Sequence, residues 1–372
     1  MNPFARKQLN AAALTAYLAF AFALGACGTT DELDLGGAAG AITEEAPPTE
    51  AANVNPVIET PTPIPPAEGR IIFTSRRDGQ TDLYMITADG AETVRLTTGA
   101  AVEEGDTPKL SPDGTKVAFV GTVAENTDIY ALDIASRAIT RITDAQGRDS
   151  SPSWSPDGQR IAFESFRDGN LEIYVVNADG SNLIRLTNDS GGDSNPVWSP
   201  NANDIIFSSH RFGNSDLFLI GLNGFLSTLT TNPEPDNNAA WSPDGNFIAY
   251  LAFRGELSDL CLIARDGSNK TCLTDFPVKF ETPVWSPDGL RIAVASEKEI
   301  HIFNRATGEV VYLSQEGVAP VGAPAWSPDG LRLVFQGLSN REMELYQAVV
   351  QTNEFTQIAA APGFDGKPIW IK

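Results

Sequence analysis

The sequence predicts an all-β fold: a seven-bladed β-propeller of four-stranded antiparallel blades, closed by the C-terminal strand pairing into the N-terminal blade. Three observations carry this expectation. Trp154, Trp198, Trp241, Trp285, Trp326 and Trp370 follow one another at intervals of 44, 43, 44, 41 and 44 residues, and self-similarity at such a period marks an array of like supersecondary units. Each unit holds four short apolar runs separated by turn residues, without helical periodicity, which fits a blade better than a helical solenoid. Finally, the first run, beginning at Ile71, has no tryptophan strand before it, and the last, Lys367–Lys372, has nothing after it. Together they complete one blade and leave no open sheet edge.

The chain begins with a different kind of segment. Arg6 and Lys7 precede an apolar run from Ala11 to Leu24 that is too short to cross a bilayer comfortably and has the layout of a secretory signal. Its end, Leu24-Gly25-Ala26-Cys27, resembles the bacterial lipobox, and this resemblance implies acylation of Cys27 after removal of residues 1–26. Gly28 in the next position fits outer-membrane sorting in a cell with two membranes. Residues 27–68 contain no lysine, arginine or aromatic residue and are rich in Ala, Thr, Pro and acidic side chains. Such a composition cannot bury enough apolar surface to offset its ordering entropy. It reads as a disordered tether that would hold the domain of residues 69–372 about 35 Å from the membrane.

Within the repeats the third copy is clearest. Ser153-Trp154 lies on the first strand (a), Ile161-Ala162-Phe163 on the second (b), Glu172-Ile173-Tyr174 on the third (c) and Arg185-Leu186-Thr187 on the fourth (d). Ser155-Pro156-Asp157-Gly158 supplies the a–b turn. Asp89-Gly90, Asp179-Gly180, Asn223-Gly224 and Asp266-Gly267 supply c–d turns, read as two-residue hairpins with positive φ at both central positions. The b strands begin near Ile71, Val117, Ile161, Ile205, Ile248, Ile292 and Leu333, and Leu110 stands where a seventh tryptophan would be.

The recurring Pro-x-Trp-Ser-Pro-Asp-Gly, with Ile-Ala-Phe beyond it, resembles the repeat of TolB-like propellers over residues 70–372. The resemblance implies an extracytoplasmic location and, in many members, protein binding; some relatives are enzymes or carry a fused hydrolase. The chain departs from the pattern at Leu110 and at Asn201-Ala202. TolB itself is usually six-bladed with an additional N-terminal domain, so a direct role in the Tol system is not implied.

Several residue sets are candidates for chemistry. Acidic residues recur four or five positions before the tryptophan or its substitute: Asp106, Asp149, Asp193, Asp236, Glu281 and Asp365. They fall where the innermost strands begin and so should surround one mouth of the channel. Arg77, Arg167, Arg211 and Arg254 share one column in the b–c loops of the same face. The structural reading is turn capping and ion pairing between blades; the alternative is calcium, which takes six to eight oxygen ligands. His210 lies in a b–c loop of that face, within reach of a ligand, whereas His301 occupies the position of Tyr174 and reads as packing. The tryptophans read as packing between blades. Two scattered histidines make no metal set with a cysteine. Cys261 and Cys272 stand symmetrically about Asp266-Gly267 and, across a two-residue hairpin, would face each other within disulfide reach; reduced core thiols are the alternative, and export favours the disulfide.

With 26 basic and 48 acidic residues the net charge is −22, which disfavours nucleic acid and anionic headgroups as partners. The sequence therefore reads as a monomeric, envelope-anchored binding or scaffolding module for an envelope or extracellular protein, with no catalytic residue and no resident cofactor. One alternative is a carbohydrate-binding or lyase-like propeller, although seven-bladed lyases need a metal site built largely from histidines. The other is a peptidase-associated propeller, although the chain has no Gly-x-Ser-x-Gly elbow and no hydrolase domain.

Overall fold

The computed structural model describes residues 66–98, 101–201, 204–274, 278–359 and 364–371. The signal-like run, Cys27 and the tether up to residue 65 lie outside them. The described residues form seven antiparallel sheets, and no helix occurs among them. Blade 1 is composite: its inner strand a is Asp365–Ile371, followed outward by Arg70–Ser75, Asp82–Thr87 and Thr93–Arg95. Arg70 pairs with Ile371 and Ser75 with Asp365. Blades 3, 4, 5, 6 and 7 run a to d in chain order, as in blade 3 with Asp149–Trp154, Arg160–Ser165, Glu172–Asn177 and Ile184–Arg185. Two inner strands depart from the pattern. In blade 2 it is split into Ala101–Val102 and Lys109–Leu110, both paired with Lys116–Val123, and in blade 6 it shortens to Val284–Trp285.

Each sheet presents two apolar faces, and the core accordingly lies between blades. One cluster joins Ile71, Phe73 and Tyr84 of blade 1 to Val334 and Leu345 of blade 7; another joins Ile72 and Leu83 to Phe119 and Tyr130 of blade 2. The tryptophans add a directed bond to this packing. The indole N–H of Trp154 donates to the carbonyl of Lys109 at 3.0 Å, Trp241 to Val197 at 3.1 Å, Trp285 to Ala240 at 3.0 Å and Trp326 to Val284 at 3.2 Å. In each case the acceptor is on the inner strand of the preceding blade. Trp370 instead finds Glu68 at 3.1 Å, so the chain just before the first strand is bound to the blade that closes the ring.

Most inner strands carry an irregularity in their pairing with strand b. Ser151, Asn195, Asn238 and Lys367 sit there with φ of 54°, 54°, 56° and 49°. A bulge of this kind bends the strand and increases its twist. Beyond it, burial alternates: the tryptophan and the residue two before it turn towards neighbouring blades. The residues one and three before it stay partly exposed. Inner strands touch their neighbours around the ring, Asp365–Ile371 meeting Lys109–Leu110, so that exposure is to the central channel.

The c–d turns differ from expectation. Only the glycines have positive φ, 78° at Gly90, 86° at Gly180, 79° at Gly224 and 83° at Gly267. In blade 5 the Gly267 N–H returns to the Ala264 carbonyl and the Ala264 N–H donates to Ser268. The loop therefore has three residues, with a glycine ending a tight turn. An additional left-handed residue, Asn269 at φ 54°, restores the register, so that Cys261 faces Cys272.

Removing residues 365–372 should strip the inner edge from Arg70–Ser75 and open two inter-blade cores. The expected outcome is loss of a cooperative melt by circular dichroism together with self-association in size-exclusion chromatography. Trp370→Ala, a milder change, should cost about 3–5 kcal/mol. Unchanged melting in both variants would show that closure contributes little.

Candidate functional site

Antiparallel order places the start of every inner strand and every b–c loop on one face. The predicted carboxylates and arginines meet there, but within blades instead of between them. Arg167 Nη2 donates to both oxygens of Asp149 at 3.1 and 2.9 Å. Arg211 does the same to Asp193 at 2.9 and 3.0 Å, and Arg77 to Asp365 at 3.1 Å to each oxygen. The reason is register: Asp149 lies directly opposite Ser165, and the arginine is two residues beyond that serine. Ser165 Oγ accepts the Arg167 Nε–H at 2.8 Å, as Ser209 does for Arg211 and Ser75 for Arg77. Each guanidinium lies over the b- and c-strand rings, as with Arg211 at 5.4 Å from the Phe207 centroid and 4.5 Å from Phe218. These carboxylates are fully buried or nearly so, and each has a cation, an oriented hydroxyl and two rings around it.

The remaining members diverge. Asp106 is the one carboxylate of the set bound across blades, to Arg148 of the blade 3 entry at 3.2 Å. Burial raises its pKa, the charge of Glu164 raises it further and Arg148 opposes both. Arg254 does not join the column. The b–c hairpin of blade 5 extends to Phe247–Arg254 and Leu257–Ala264, which carries Arg254 outward to pair with Asp259 at 2.8 Å. Asp236 meets Lys270 instead, at 3.6 Å, with Lys270 also 5.5 Å from the Tyr250 ring centroid. Asp236 Oδ1 and the Tyr250 hydroxyl are buried without a hydrogen-bond partner, and burial raises the pKa of both groups. Glu281 is exposed and makes no ion pair among the described residues.

These carboxylates do not converge. Among the described residues no group of three or more His, Cys, Asp or Glu side chains is placed to hold a metal, and the best-buried oxygens face guanidinium groups. The donor set does not fit a calcium site. His210 is exposed on the same face. His301 is buried, with Phe280 and Tyr312 edge-on at 5.1 and 5.0 Å; burial lowers its pKa and Glu299 partly offsets this. Cys261 and Cys272 are joined as a disulfide on adjacent strands of blade 5.

Sequence reasoning missed a second column of acids. Asp82, Glu172 and Asp216 open their c strands, Asp128 and Asp259 stand third in longer ones, and all five are buried. Each accepts a hydrogen bond from a threonine two residues beyond strand d, as Glu172 does from Thr187 at 2.6 Å, and Thr187 Oγ1 in turn accepts the Ile173 N–H at 2.8 Å. The signal was present as an acid before each Ile-Tyr or Leu-Tyr-like pair. Also missed was a row of exposed apolar side chains at the b–c tips: Val123, Phe166, Phe212 and Leu257, on consecutive blades 2 to 5. Phe212 is 62% exposed.

Residues 103–259 match the family model described as the TolB beta propeller domain. The chain carries a TolB-like β-propeller. Over 69 residues it is 38% identical to the protein TolB homolog of Chlorobaculum tepidum, a stretch covering 18% of this chain and only 15% of that protein. Among solved structures, TolB from Acinetobacter baumannii superposes with a TM-score of 0.55 at 22% identity, over 82% of this chain and 66% of that one. Oligogalacturonate lyase from Vibrio parahaemolyticus superposes with a TM-score of 0.58 at 17% identity, over 78% and 86%. At these identities the two structures speak for the TolB-like fold alone.

Replacing Arg211 by Leu should leave Asp193 buried beside two rings without its cation, and unfolding free energy should fall by about 3–5 kcal/mol. Chemical denaturation would measure this. A loss below about 1 kcal/mol would mean that the carboxylate finds other compensation.

Proposed function

We propose that this TolB-like propeller is an exported, lipid-anchored binding module that holds a protein partner on the face bearing its b–c loops. The row Val123, Phe166, Phe212 and Leu257 carries this reading. Exposed apolar and aromatic groups on four adjacent blades form a surface of the kind that anchors protein interfaces. The buried carboxylates beneath hold the loops in place through their arginines, and recognition sits on loops set by a rigid scaffold. Glu125 and Glu256 at the hairpin tips and the net charge of −22 favour a partner with basic groups around an apolar centre. The disulfide of blade 5 suits an oxidising compartment, and the lipobox-like Leu24-Gly25-Ala26-Cys27 supports anchoring through Cys27.

The double substitution Phe166→Ser and Phe212→Ser should abolish capture of a defined protein from detergent-solubilised envelope, whereas Phe225→Ser on the opposite face should not. Equal capture by both variants, or retention on glycans only, would refute the assignment. For the anchor, Cys27→Ala should move the protein from the membrane to the soluble fraction and remove metabolic labelling by palmitate; membrane retention of that variant would count against acylation.

A further inference from the structure

The two partly exposed rows of the inner strands line the channel, and their chemistry is uneven. The row one residue before the tryptophan position is Ser, Val, Ala and Ile except for Lys109; the row three residues before it is Thr, Ser, Asn and Ala except for Lys367. Both lysines are in neighbouring blades, 2 and 1, whose inner strands touch. Neither ammonium has a hydrogen bond or an ion pair among the described residues. Lys367 Nζ reaches towards the inner strand of blade 7, lying 4.0 Å from the point where a side chain on Gly322 would begin. The nearest acid along Lys109's own strand, Asp106, is already bound to Arg148 at 3.2 Å.

Two like charges thus face the channel from adjacent blades, in rows whose other members are neutral, in a protein whose net charge is −22. Water reaches the Lys109 side chain, but crowding by the channel wall still pushes its ammonium below the usual lysine range; the charge of Asp106 opposes this and that of Lys367 adds to it. Such a pair is unfavourable alone and becomes favourable around an anion, because each ammonium then gains an opposite charge in place of a like one. We propose that the channel is an oxyanion site in which Lys109 and Lys367 hold a carboxylate or phosphate group between them. The site is independent of the b–c face and stands whether or not that face binds a protein. A free anion and a carboxylate carried on an inserted polypeptide share this chemistry.

The test uses the full chain in detergent, titrated calorimetrically in a buffer of low anion content with inorganic phosphate, acetate and tetraglutamate. Acetic anhydride footprinting of Lys109, Lys367 and the exposed Lys298 accompanies it. At least one probe should bind and protect Lys109 and Lys367 but not Lys298. K109M and K367M should each weaken binding by about tenfold or more, and K109R should largely keep it. Binding of phosphate or acetate assigns a free ion; binding of tetraglutamate alone assigns a polypeptide carboxylate. Melting temperatures report whether each variant folds, and footprinting of the unmodified chain decides if K109M does not. No binding by any probe at millimolar concentration overturns the proposal, as does binding that survives in a folded K109M/K367M double variant.

Discussion

A sheet with two apolar faces cannot stand in water on either side, and this constraint organises the molecule. Each blade must be covered twice, so blades stack around an axis until the last covers the first. The hydrophobic clusters all bridge neighbouring blades. Apolar packing alone is non-directional and would tolerate sliding. The N–H bonds of Trp154, Trp241, Trp285 and Trp326 to the preceding inner strand give their interfaces a register. Blade 2, where Leu110 replaces tryptophan, lacks this bond to blade 1, and its inner strand is the one broken in two.

The same geometry explains why polar groups are buried so freely. Strand ends at the b–c face are enclosed by neighbouring blades, so their turns cannot rely on water. Asp149, Asp193 and Asp365 are therefore surrounded by a guanidinium, a serine hydroxyl and rings, and the buried acids of the c strands are matched by threonines. A buried ion pair is weak evidence for stability by itself, since desolvation offsets much of the attraction. Here it fixes a loop whose tip, Phe166 or Phe212, stays in solvent. The carboxylates are thus positioning groups, and the exposed apolar tips beside them carry the capacity to bind.

Much of this was legible in the chain. The tryptophan spacing, the count of Ile-Ala-Phe runs and the unmatched strands at either end lead to the ring and its closure, because period and pairing are properties of sequence order. The Arg77, Arg167 and Arg211 column was legible as well, but its partners were misassigned across blades. A repeat aligns positions along strands without saying which neighbour they face, and only the pairing of Asp149 with Ser165 resolves that. Arg254 shows the complementary failure: a longer hairpin leaves the repeat intact while carrying the residue outward. Lys109 and Lys367 were hidden for another reason. Their rows emerge only when the bulge at Ser151, Asn195, Asn238 and Lys367 sets which side chains turn towards the axis.

Blade 5 shows how far one solution can be rebuilt. Where the blade 1, 3 and 4 slots have an arginine from the b–c loop, a serine and an aromatic ring on strand c, blade 5 has Lys270, Ala252 and Cys261. Cys261 stands at the position of Tyr174, and Cys272 opposite it at that of Arg185, so a disulfide replaces the tyrosine–arginine cross-strand pair. These changes fit together. With a small sulfur in place of a ring on strand c, the Lys270 ammonium lies 5.5 Å from the Tyr250 ring centroid and 3.6 Å from Asp236. A single ammonium is a poorer match than a guanidinium fork and leaves Asp236 Oδ1 and the Tyr250 hydroxyl unsatisfied. The covalent link between strands c and d ties together the outer half of the blade that has this weaker match.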